Sequence, residues 1–174
     1  ISSGIYSRNK TIKSLAPSMD ISVASNFERL MVDVLSNDRS KLNELMNIFP
    51  ESPLDFNNYP EWKKISSFFS SSKTNDQEIK KCIEEVIFKS NYFIDPHTAT
   101  AVKGLLSSKI PGENILTFAT AHPGKFPDAY HDIDGFTDMI PSDLISIFEK
   151  EESFINLNNN YEEISNFISS NYKN

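Results

Sequence analysis

At 174 residues the chain is about one domain's worth of polypeptide, and 39% apolar residues, 13 Phe and 6 Tyr among them, suffice for one core. A net charge of −7 argues against a nucleic-acid partner or an anionic membrane surface, because both are gripped by clustered Lys and Arg. The single cysteine, Cys82, excludes a disulfide within the chain and fits a reducing, cytoplasmic setting.

No apolar run reaches the ~18–20 residues that a bilayer span needs, and residues 1–20 lack the charged start and apolar block of a signal peptide. Ile1–Leu15 starts with neither a cap nor a polar lead-in and reads as the middle of a longer polypeptide. "APSMD" (Ala16–Asp20) is a loop, since Pro17 biases Ala16 away from helix. Ser25 and Glu28 form a capping-box pattern for a helix whose apolar stripe is Val23, Phe27, Leu30, Met31, Val34 and Leu35. A second helix is expected over Ser40–Ile48. Pro50, Pro53 and Pro60 make residues 50–75 an irregular or flexible insertion, with a short helix over Glu61–Phe69 carrying Trp62.

Thr74 and Gln77 suggest another capping box, before a helix ending near Ser90 that buries Ile79, Ile83, Val86 and Ile87. In "IDPHTATAVKGLL" Asp95 is the N-cap and Pro96 takes the first helical position, with Ala99, Val102, Leu105 and Leu106 inward. "KIPGE" (Lys109–Glu113) turns the chain into a strand at residues 115–119. Helices follow at Pro141–Lys150 and at Tyr161–Tyr172, the latter capped by Asn160 and burying Ile164, Phe167 and Ile168. One strand cannot satisfy its own backbone groups, so it must pair with Gly4–Tyr6 or with strands outside these residues.

That strand ends in Thr120, His122 and Lys125, a hydroxyl, an imidazole and an ammonium within six residues. On residue type alone Thr120 is a strand-end threonine, and His122 either positions its loop through a backbone hydrogen bond, the favoured role, or approaches a substrate. Lys125 pairs with a carboxylate or a helix end. His97 packs or bonds locally, and Ser18 either bonds its own turn or lines a site mouth together with Asp20. The three histidines and Cys82 have no zinc-ligand spacing, so no metal is expected. The five glycines are too dispersed for a phosphate-cradling loop.

Three stretches taken together resemble the threonine synthase family: "SGIYSRNKTIKSLAPSMDISVASNFERL" (Ser3–Leu30), "DPHTATAV" (Asp95–Val102) and "TAHPGKF" (Thr120–Phe126). The resemblance covers nearly the whole chain but only the last third or so of a family member. One departure is Gly124, where the family usually has Ala. The resemblance implies an α/β fold, the mostly helical C-terminal part of a fold type II large domain with few strands, over residues 1–174.

It further implies an enzyme dependent on pyridoxal 5'-phosphate that converts O-phospho-L-homoserine and water to L-threonine and phosphate. By resemblance the Thr120 hydroxyl faces the pyridine nitrogen, while Ser18, Asp20, His122 and Lys125 are secondary candidates. The family's Schiff-base lysine, in a Ser-Phe-Lys-Asp setting, and its phosphate loop match nothing here. The implied partner is therefore the missing N-terminal part of the enzyme, and this chain alone is expected to be inactive, with no catalytic residue of its own. Alternative readings are a non-catalytic helical binding module derived from the enzyme and a related phospho-lyase of the same fold.

Overall fold

The computed structural model describes residues 1–108, 114–136 and 139–172, save the side chains of residues 64, 65 and 148. The turn expected at 109–113 lies outside the described residues. Two compact units divide the chain, Ile1–Met139 and Ile140–Asn174.

In the first unit β1 (Ile5–Tyr6) pairs antiparallel with β2 (Leu54–Asp55), with Ile5 opposite Asp55 and Tyr6 opposite Leu54. Gly4 precedes β1 at φ +70°, a conformation that costs glycine little, and its carbonyl accepts from Phe56 N–H at 2.8 Å. This short ribbon lies on an aromatic core. The Tyr6 ring stacks on Phe49 at 4.3 Å, and Phe27 and Phe56 each contact Trp62.

Helices α1 (Phe27–Val34), α2 (Arg39–Ile48) and α3 (Pro60–Ser66) enclose that core, which buries Met31, Val34, Leu45, Phe49, Phe56 and Trp62. Residues 50–75 thus contribute β2, α3 and two of the largest core rings, while no regular element spans 67–75. The expected Ser25–Glu28 box does not form. Asn26 caps α1 in a helical conformation (φ −71°, ψ −13°) with no side-chain bond, because the preceding residues are spent on a turn that closes from Phe27 N–H to the Ala24 carbonyl. Ser36 and Asn37, both at positive φ, end the helical run, and Asp38 restarts it by accepting from Lys41 N–H at 3.0 Å.

The helical hairpin of α4 (Asp76–Ser90) and α5 (Pro96–Ser107) forms the other half of this unit. The capping box of α4 is Asn75 with Glu78, one residue after the expected pair, since Asn75 is the residue in extended backbone (φ −94°, ψ 171°). Ile79, Cys82 and Ile83 are buried, as is Ala99 on α5. Leu106, expected to face inward, is 67% exposed. Burial pushes the Cys82 thiol pKa up, which disfavours the reactive thiolate.

The strand expected at 115–119 is not formed. Gly4–Tyr6 is already taken by β2, and residues 114–120 carry no regular structure. Leu116 and Phe118 are 77% and 72% exposed. A strand is defined by a ladder, and no described segment supplies the second rail.

The second unit holds α6 (Ser142–Phe148) and α7 (Tyr161–Asn171). Asn160 caps α7 by accepting from Glu163 N–H at 3.0 Å, as its sequence predicts. The apolar stripe of α7 is not buried as expected: Ile164 and Phe167 are half-buried and Ile168 is exposed. Among the described residues no helix is long and apolar enough to cross a membrane.

Candidate functional site

The start of α5 gathers several hydrogen bonds on one buried carboxylate. Asp95 has extended backbone (φ −73°, ψ 162°) and is 1% exposed, so its side chain must find partners inside the protein. It finds four. Oδ1 accepts from His97 N–H at 2.9 Å, from His97 Nδ1 at 2.9 Å and from Thr98 N–H at 3.4 Å, and Oδ2 accepts from the Thr98 hydroxyl. Pro96 at the first helical position has no N–H to leave unpaired.

His97 carries the connection onward. Its Nε2 lies 3.1 Å from Ser18 N, whose N–H donates to it. An atom that accepts carries no proton, so the geometry assigns the proton to Nδ1, where Asp95 receives it. Ser18 sits in the 3-10 turn Pro17–Met19. The same loop is held from within by Asp20, which accepts from Ser14 N–H at 2.7 Å and from the Ser14 hydroxyl at 2.8 Å. Leu15 N–H donates to Asp76 at 2.9 Å, tying the loop to the first turn of α4.

The third stretch meets the same point from the other side. The Phe126 ring stands edge-on to the His97 imidazole, with centroids 4.6 Å apart. His122 accepts from Gly124 N–H through Nδ1 at 3.1 Å, closing the turn Pro123–Lys125 on itself. Lys125 is exposed and makes no ion pair among the described residues; it borders a groove of about 520 Å³ with Lys13, Asp76 and Asp128. Farther on, the buried Tyr130 hydroxyl donates to the Ile94 carbonyl at 2.6 Å.

Of the sequence candidates, the structure therefore gathers Ser18 and Asp20 into one loop cluster around His97, with Phe126 reaching it from the His122–Lys125 segment. Thr120 is set apart. It is exposed and makes no hydrogen bond among the described residues. It follows the Ile115–Phe118 segment, which borders a groove of about 390 Å³ with Ser70–Ser72 and the Thr100–Ser108 side of α5. A larger cleft, of about 850 Å³, is walled by Ala16, Met19 and Asp20 on one side and by Thr74–Gln77 on the other. Among the described residues no three His, Cys, Asp or Glu side chains group to hold a metal ion.

Sequence reasoning left out the bond between His97 and Ser18, 79 positions apart. The local half of it was legible: an aspartate cap two residues before a histidine puts carboxylate and imidazole within reach in the first helical turn. The Ser18 half carries no local signal.

A model of the family described as "Threonine synthase, C-terminal" matches residues 98–168. The threonine synthase of Pseudomonas aeruginosa is 33% identical over 169 residues, a match covering 94% of this chain and 35% of that protein. The threonine synthase of Saccharomyces cerevisiae is 32% identical over 182 residues, covering 89% and 35%. A crystal structure described as PLP-bound threonine synthase from Brucella melitensis matches with a TM-score of 0.79 at 32% identity, over 97% of this chain and 36% of that one. The yeast enzyme's crystal structure matches with a TM-score of 0.71 at 26% identity, over 97% and 38%. The chain spans about a third of the length of these relatives. Its sequence matches, the family model and the shared fold all lead to one assignment: the chain belongs to the threonine synthase family and corresponds to the C-terminal portion of its members.

Proposed function

We propose that these 174 residues form the C-terminal part of a pyridoxal-phosphate-dependent enzyme that converts O-phospho-L-homoserine and water to L-threonine and inorganic phosphate. The observation that carries the reading is Thr120, a hydroxyl exposed and unbonded among the described residues, just after an apolar segment that has no ladder partner among them. The residues present fit one part of the cofactor, the ring nitrogen. Bound pyridoxal phosphate supplies an electron sink for negative charge developing on the substrate carbons.

A hydroxyl at the ring nitrogen can donate to it without charging it, whereas a carboxylate there would hold the nitrogen protonated. Thr120 so placed moderates the sink, which suits loss of the γ-phosphate followed by addition of water. Asp20 shapes the wall of the larger cleft rather than reacts, because its carboxylate is taken by Ser14, and Ser18 helps hold the adjoining turn through its N–H to His97. His122 shapes its own turn in the same way. The anchoring lysine and the phosphate-holding loop come from polypeptide outside these residues, which would cover the exposed Leu116 and Phe118. The 174 residues by themselves then form no threonine.

The test is threonine and phosphate formation from O-phospho-L-homoserine by the intact enzyme. Thr120→Ala is expected to lower kcat about tenfold or more and to move the visible absorption of the bound cofactor, with Thr120→Ser close to the parent. An intact enzyme that releases no phosphate from this substrate overturns the assignment. Parent-like kinetics in Thr120→Ala remove Thr120 from it.

A further inference from the structure

We propose that His97 is a positioning residue for the reaction above, holding the Pro17–Met19 turn as a wall of the larger cleft; the inference rests on that reading for its substrate. The turn closes with two backbone bonds, Met19 N–H to the Ala16 carbonyl at 2.8 Å and Asp20 N–H to the Pro17 carbonyl at 3.1 Å. Pro17 has no N–H, and the Ser18 N–H is the orphan donor that the start of every such turn leaves. Nε2 of His97 is its acceptor.

The acceptor is oriented rather than incidental. Asp95 takes the Nδ1 proton at 2.9 Å, which leaves Nε2 with a lone pair directed at Ser18. Phe126 fixes the ring from its edge at 4.6 Å, so one imidazole sets the Pro17–Met19 turn against the segment that follows Thr120. Ala16, Met19 and Asp20 around the turn face the cleft of about 850 Å³. His97 itself does not border it. It acts through Ser18, and its loss is felt in how tightly substrate is held rather than in the chemical step.

The experiment compares His97→Gln, whose side-chain oxygen can still accept, with His97→Phe, which fills the space and cannot. In the intact enzyme, assayed well below the melting temperature of each variant, His97→Phe is expected to raise KM about tenfold with kcat within about twofold, and His97→Gln to recover most of the loss. Hydrogen exchange at the Ser18 amide should be about tenfold faster in His97→Phe and near the parent rate in His97→Gln. A merely structural role lowers the melting temperature of both variants and leaves KM alone, and that result overturns the proposal. So does unchanged Ser18 exchange in His97→Phe. A parent enzyme that does not turn over O-phospho-L-homoserine sinks the substrate reading instead, and Ser18 exchange still decides whether His97 holds the turn.

Discussion

The Tyr130 hydroxyl donates to the carbonyl of Ile94 at 2.6 Å, joining the segment after the Pro127–Ala129 turn to the residue just before the α5 cap. Both residues are buried, and the Tyr130 ring stacks on Phe136 at 4.2 Å. Removing the hydroxyl in Tyr130→Phe leaves a carbonyl without its donor and should cost about 1–3 kcal/mol in chemical denaturation.

The same tyrosine gives the fold an alkaline limit. Burial, reinforced by the charge of Asp95, raises its pKa well above the ordinary tyrosine value. A group whose folded pKa lies above its unfolded value lends stability that is complete below about pH 10, where the unfolded tyrosine also keeps its proton, and that drains away as pH rises further. Stability measured from pH 8 to 11 should therefore fall more steeply in the parent than in Tyr130→Phe. Parallel curves would contradict this account.

Asp95 serves four donors from a position without solvent. Asp95→Ala removes the cap of α5 and strands the His97 and Thr98 groups, at an expected cost of about 2–4 kcal/mol. Asp95→Asn keeps one acceptor oxygen for the N–H groups and can offer its amide to the Thr98 hydroxyl, which also accepts, but it loses the carboxylate charge, so it should fall between the parent and Asp95→Ala. Urea midpoints of the three proteins check the order.

Phe56 and Phe68 are the same side chain 12 positions apart with opposite fates, the first 1% exposed and the second 75%. Phe56 touches Phe27, Tyr59 and Trp62. Phe56→Ala should destabilise by about 3–5 kcal/mol, and Phe68→Ala should stay within about 0.5 kcal/mol of the parent.

The Ile115–Phe118 segment exposes apolar side chains and has no ladder partner among the described residues, a combination that invites association. The 174-residue chain alone is expected to self-associate in sedimentation experiments. Leu116→Lys with Phe118→Lys should weaken that association about tenfold or more. A chain that stays monomeric at high concentration would show that these side chains are not sticky in solution.

The elements that were legible in advance are those whose information is local. Asp95 before Pro96 and Asn160 before α7 announce helix starts, because a cap and the N–H it serves lie within three residues. The Ser25 and Thr74 assignments each failed by one residue. Several neighbouring polar side chains could have capped, and backbone conformation chose among them.

By itself the sequence determined the stripe of α1, the caps at Asp95 and Asn160 and, through three motifs in order, the family. Only tertiary structure decided that β1 pairs with β2 and not with residues 115–119, that Phe56 and Trp62 are core, and that Ser18 leans on His97. The physical reason is range. A cap or a helical stripe is settled within a turn or two of chain, whereas a ladder partner or a loop's hydrogen-bond acceptor can be any residue the fold brings near, and nothing in the adjacent residues names it.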